Sequence, residues 1–188
     1  MVDEFQIFEA KAYGADVILL ISECLTAKEV DYLAKFAHNL GLEVLLEMHA
    51  ADQLDKISDA VDCVGVNNRN LKTFEVNLQS SIDLSSKIPD RFIKVAESGI
   101  SDPKNVGILR GYGFEGFLIG EAFMKTENPS AAITDFVARI PKWNTKFKGA
   151  MCWLSIFMQF FAIEKVFLKK NLTLCLENTQ PFKKKLVT

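Results

Sequence analysis

The chain has 188 residues, of which 49% are hydrophobic and 24% charged. That composition fits one folded unit or slightly more, and it excludes disordered, collagen-like and low-complexity chains. A formal net charge of −2 argues against a general nucleic-acid binder.

The charge is unevenly spread. Residues 142–188 hold 9 Lys and no Arg against 2 Glu and no Asp, a net of +7, whereas residues 1–141 carry a net of −9. Trp143 and Trp153 also fall in the last stretch. Pro141 marks the break. The expected organisation is therefore an α/β domain over 1–141 and an unrelated basic, aromatic-rich tail over 142–188. Cys24, Cys63, Cys152 and Cys175 form no Cys-x-x-Cys pair and have no histidine at zinc-ligand spacing, so they read as free thiols. The first residues lack a signal-peptide pattern. The longest apolar stretch, Ala150–Ile163, is 14 residues, short of the ~20 that span a bilayer. These features point to a cytoplasmic protein with no membrane partner and no metal.

Asp3 is placed to cap a short helix that stops at Gly14. Ala15–Ile21 is a continuous apolar run, read as a buried strand. Thr26 and Glu29 form a capping box, and the helix they open runs at helical period from Ala27 to Leu40, ending at Gly41. Strands are predicted at 42–46, 61–66, 92–96 and 116–119. Helices are predicted near 50–58 and over 78–87. Two further helices open at Asp102-Pro103 and Asn128-Pro129, each with a capping side chain before a proline. Five apolar strands, each followed by a helix, imply a parallel sheet. It belongs either to an open doubly wound fold or to part of a (β/α)8 barrel.

Polar groups gather at the C-terminal strand ends: Glu47, then Asn67, Asn68 and Arg69, then Glu97, Ser98 and Gly99, then Gly120 and Glu121. A barrel keeps its site on that face. Gly99 and Gly120 lack a Cβ, so an anion could approach their amides near helix starts, as phosphate does after the last two strands of many barrels. Glu121 could contribute there only through its amide. Gly111–Gly116 matches Gly-x-Gly-x-x-Gly but follows a helix and precedes a strand, the reverse of the dinucleotide fingerprint. His38 reads as solvent-facing. His49, just past Glu47, is near enough to share the site but receives no role. Asn171-Leu-Thr173 is a glycosylation sequon, without consequence in an unsecreted chain.

The segments DEFQIFEAKAYGADVILLI, LGLEVLLEMH, VGVNNRNLKTFEV, VAESGI and GFLIGEAFMK, in this order, resemble indole-3-glycerol-phosphate synthase over about residues 2–140. The resemblance implies a TIM barrel, here strands four to eight with their helices. It implies a lyase that closes a ring with loss of carbon dioxide and water from 1-(2-carboxyphenylamino)-1-deoxyribulose 5-phosphate, in tryptophan biosynthesis, with no cofactor. Glu47 then matches the catalytic carboxylate of the family's fifth strand, and Asn67 an amide that holds substrate hydroxyls. Arg69 lies near the anthranilate carboxylate, Glu97 and Ser98 contact substrate, and Gly99, Gly120 and Glu121 belong to the phosphate loops. The resemblance also implies that the family's general-acid lysine precedes the segment matched here, and that Lys11, Lys72 and Lys94 do not replace it. The expected partners are a phosphorylated small molecule and a missing N-terminal half-barrel. This polypeptide alone is expected to be inactive or nearly so, and aggregation-prone at its open sheet edges. The alternatives are a non-catalytic phosphate-binding half-barrel and a membrane-associated protein acting through its tail.

Overall fold

The computed structural model describes residues 1–70 and 73–141. The expectations for 142–188, including the domain boundary, the tail, Cys152, Cys175 and the sequon, lie outside the described residues. So does Lys72.

The helices are α1 (Glu4–Ala12), α2 (Ala27–Asn39), α3 (Gln79–Ser85), α4 (Pro103–Gly111), α5 (Glu121–Met124) and α6 (Pro129–Ala138). The strands are β1 (Val17–Ile21), β2 (Glu43–Met48), β3 (Cys63–Asn67), β4 (Ile93–Glu97) and β5 (Phe114–Leu118). Their boundaries follow from local chemistry. The Asp3 carboxylate accepts from Gln6 N at 2.9 Å and starts α1. The Thr26–Glu29 capping box forms in both directions, with Thr26 N donating to Glu29 at 2.7 Å and Glu29 N donating to Thr26 Oγ1 at 3.3 Å. Asp102 and Asn128 cap α4 and α6 as predicted. Gly41, which follows α2, has φ +67°, a conformation that favours glycine.

Two elements differ from expectation. Residues Ala51–Lys56 form a 3-10 helix, not an α-helix. Ala50 supplies no capping side chain, and Gln53 turns inward to accept from Ser22 Oγ and His49 N, both at 2.8 Å. The four-residue α5 is too short to show a period. The Gly-x-Gly-x-x-Gly match is confirmed as incidental, since Gly111 ends α4 and Gly116 lies within β5.

The five strands form one parallel sheet in the order β1-β2-β3-β4-β5. A doubly wound sheet reverses its strand order at a switch point; this one does not, so it is part of a barrel-type (β/α) array. Strand residues alternate between two faces. Ile18, Leu20, Val44, Leu46, Met48, Val64, Val66, Ala96 and Phe117 join the core that the helices cover. Val30, Leu33, Ala34 and Ala37 of α2, with Val106, Leu109, Phe123 and Phe136, complete it. Phe123 and Phe136 meet edge to face at 5.3 Å. Leu45, Glu47, Gly65, Val95 and Glu97 occupy the opposite face. Because all strands run the same way, Glu47, Asn67 and Glu97 arrive together at one rim.

Candidate active site

Register brings three of the predicted site residues, Glu47, Asn67 and Glu97, together. Glu47 pairs with Gly65, and Asn67, two residues on along the same face, pairs with Glu97. Asn67 Nδ2 donates to Glu47 Oε1 at 2.8 Å, and its Oδ1 accepts from Arg69 N at 2.9 Å. The amide is thus fixed at both ends. Glu97 leans over Gly65: a Cβ built there would lie 2.0 Å from Glu97 Oε1. Gly65 therefore makes room for the carboxyl, the close approach that an interior-strand glycine signals.

Glu47 and Glu97 are 4% and 3% exposed. Buried carboxylates must be paired or neutral. Burial, reinforced by the charge of Glu47, raises Glu97 well above the ordinary carboxylate value. Glu97 Oε1 receives no donor. For Glu47, burial pushes upward, but contacts from His49, Asn67 and Glu97 outweigh it and hold the carboxyl low. Their surroundings thus push the two carboxyls in opposite directions, Glu47 down and Glu97 up, as an acid and a base at one site require.

The next residues turn sharply. Ser98 and Gly99 have φ +63° and +70°. Asn68, buried behind them, donates from its side chain to Glu97 O at 3.0 Å and Ser98 O at 3.2 Å, and accepts from Ser81 Oγ at 2.7 Å. Asn68→Ala strips partners from buried groups and is expected to destabilise the chain by about 1–3 kcal/mol, read as a lowered urea midpoint. The strand-end segment folds back, with Arg69 bridged to Val76. Val76 closes over Gly99, whose Cβ would lie 2.0 Å from Val76 Cγ1.

Gly120 opens α5, and the space its Cβ would take is empty to 4 Å. Glu121 directs its carboxylate to Lys125 Nζ at 2.6 Å and Arg69 Nη2 at 2.5 Å. Those cations, Lys125 foremost, keep Glu121 below the ordinary carboxylate value. Its side chain therefore ties the β3 and β5 loops together. His38, exposed in α2, meets Asp62 at 2.8 Å, away from the rim.

Sequence reasoning gave one neighbour, His49, no role and missed another. His49 Nε2 lies 3.2 Å from Glu47 Oε1. Its spacing of two residues from Glu47 along an extended chain was the available signal. Gly65 was the other, hidden within an apolar run. Among the described residues no group of three or more His, Cys, Asp or Glu could hold a metal, and no helix is long and apolar enough to cross a membrane.

The family profile of indole-3-glycerol phosphate synthase matches residues 1–136. The chain belongs to the indole-3-glycerol phosphate synthase family. It is 47% identical over 140 residues to the indole-3-glycerol phosphate synthase of Bacteroides thetaiotaomicron, covering 74% of this chain and 54% of that protein. With the Polynucleobacter asymbioticus enzyme of the same name it shares 44% identity over 138 residues, 73% of this chain and 52% of the relative. The chain spans about half the length of the curated relatives it matches. Solved structures agree on the fold. A 3-hexulose-6-phosphate synthase aligns with a TM-score of 0.61 at 16% identity, covering 75% of this chain and 70% of its own. The tryptophan synthase A-subunit of Pyrococcus furiosus aligns at 0.51 and 20% identity, covering 71% and 57%. Glu47, Asn67, Arg69, Glu97, Ser98, Gly99, Gly120 and Glu121 all fall within the matched span.

Proposed function

We infer that residues 1–141 carry the C-terminal-rim half of an indole-3-glycerol phosphate synthase site. The reaction is ring closure of 1-(2-carboxyphenylamino)-1-deoxyribulose 5-phosphate, followed by loss of carbon dioxide and water. The observation that carries this reading is the buried Glu47–Glu97 pair at the rim of a segment matched by the family.

Each residue has a task in that chemistry. As the ring carbon attacks the ketose carbon, positive charge develops on the aniline nitrogen. Ionised Glu47 balances that charge and then accepts the proton that restores the aromatic ring. Protonated Glu97 adds no second negative charge and can donate to a substrate hydroxyl. Asn67 aligns Glu47, and its spare amide hydrogen reaches toward substrate hydroxyls. Arg69 meets the substrate carboxylate, exchanging part of its pairing with Glu121. Ser98 contacts substrate, and the amides at Gly99, Gly120 and Glu121 receive the phosphate. No cofactor or metal enters the scheme. Expelling the ketose oxygen as water needs a proton donor, worth ~10²–10⁴-fold. By resemblance that donor is a lysine on a strand N-terminal to the matched segment.

The test joins the N-terminal segment of the Bacteroides thetaiotaomicron relative, through its third strand, to residues 1–141. The chimera is expected to form fluorescent indole-3-glycerol phosphate, whereas the 188-residue polypeptide by itself is expected to show next to none. A folded chimera that binds substrate without turning it over would overturn the assignment.

A further inference from the structure

We propose that His49 is a positioning residue for Glu47: with Asn67, it supplies the second of two donors that fix Glu47 Oε1. The inference rests on the reading of Glu47 as the catalytic carboxylate.

The observation behind it is an unsatisfied ring. His49 is half-buried, its side chain 13% exposed, and neither ring nitrogen has a hydrogen-bond partner although both are buried. Such groups are rare, because a buried orphan donor or acceptor is costly. Nε2 nevertheless stands 3.2 Å from Glu47 Oε1. The separation suits a hydrogen bond, so a reorientation of the ring would complete it. Catalytic hydrogen bonds are often loose in an unliganded site and tighten when substrate binds.

The backbone beneath the ring is held firmly. His49 N donates to Gln53 Oε1 at 2.8 Å, and that oxygen also accepts from Ser22 Oγ at 2.8 Å. Gln53 Nε2 donates to the Glu23 carboxylate, and Lys56 Nζ donates to Ser22 O at 2.7 Å. The turn after β1 thus anchors the segment after β2. The main chain under the ring is thus fixed, as a donor aimed at Glu47 requires. The charged and titratable groups around Glu47 are Glu97 from β4 and the Met1 ammonium, with Glu23 behind Gln53. His49, unlike these, shares Glu47's strand end.

The test is a carbon-13 NMR titration of the Glu47 carboxyl in the 188-residue chain, assigned by comparison with Glu47→Gln. His49→Leu is expected to move the Glu47 midpoint upward. His49→Gln, whose amide nitrogen takes the place of Nε2, is expected to restore it. Gln53→Ala keeps the ring but loosens its anchor, and is expected to produce a smaller upward move. It also serves where the leucine variant does not fold. Unmoved midpoints in both His49→Leu and Gln53→Ala would overturn the proposal. So would a His49→Gln midpoint displaced as far as that of His49→Leu. This readout needs no turnover, so its failure is distinct from failure of the assigned reaction. In the active chimera, His49→Leu is expected to lower kcat by roughly 10- to 100-fold with KM little changed, the cost of a misplaced catalytic group. A raised KM at unchanged kcat would instead make His49 a simple binding contact and overturn the positioning role.

Discussion

Glu47→Gln is expected to lower the kcat of the active chimera by ~10²–10⁴-fold while KM stays within a few-fold, the size associated with losing a positioned proton acceptor. The amide oxygen of glutamine still accepts from Asn67 Nδ2, now 2.8 Å from Glu47 Oε1, so the rim keeps its shape. What is lost is charge and basicity. In the proposed reaction, positive charge on the substrate nitrogen would no longer be balanced, and no group of suitable basicity would take the ring proton. The same change removes the negative neighbour that helps hold Glu97 protonated, so Glu97 is expected to titrate lower than in the parent while burial still keeps it high. Steady-state kinetics by product fluorescence checks the first result, and the carboxyl NMR titration checks the second. A kcat within about threefold of the parent would remove Glu47 from the catalytic role, since that is far below the usual effect.

Glu97→Gln is expected to make the chain more stable at alkaline pH and to leave it nearly unchanged in acid. Burial first, and the charge of Glu47 second, raise the Glu97 carboxyl in the folded chain. In the unfolded chain it titrates near ~4.3. The folded state therefore holds this proton more tightly than the unfolded state. Its contribution to stability is complete below the unfolded value. It declines as pH rises from there and is lost once pH passes the raised folded value. Glutamine has no proton to lose, and its amide can still donate toward Glu47. The gap between variant and parent should open with rising pH across that window. Glu47, present in both proteins, adds the opposite and common trend: its lowered carboxyl stabilises the fold above the ordinary value and ceases to do so as pH falls. Urea midpoints at pH 4.5 and pH 8.5 decide the matter. Parallel pH profiles for the two proteins would show that Glu97 titrates normally and that the site is not an acid–base pair.

On the proposed function, the Arg69–Glu121 pair would bear on substrate binding in a smaller way. Both groups are partly exposed, and such pairs contribute only ~0–1 kcal/mol. A substrate carboxylate of the proposed reaction would therefore take Arg69 from Glu121 at little cost, while Lys125 retains Glu121.

Much of this was legible before any coordinates. Apolar runs, the Thr26–Glu29 box, the Asp102 and Asn128 caps and the glycine stops act over a few residues, so the five βα units could be read in chain order. Parallel strands place their C-terminal ends on one rim, so Glu47, Asn67, Glu97, Ser98, Gly99 and Gly120 could be grouped from their positions alone. The shared segments pointed to the family. The tertiary structure decided what no short window contains. Sequential strand order, which separates a barrel array from a doubly wound sheet, depends on pairing between distant segments. So does the contact of Glu97 with Glu47 across the space that Gly65 leaves open. So does the pairing of Glu121 with Arg69 from the β3 loop. The 3-10 helix at Ala51–Lys56 follows Gln53, which turns inward toward Ser22 on another loop, and His49 gained its place beside Glu47 by the same link. Local propensities and caps select elements, but the protonation and alignment of a buried carboxylate depend on the charges and donors that the whole fold assembles around it.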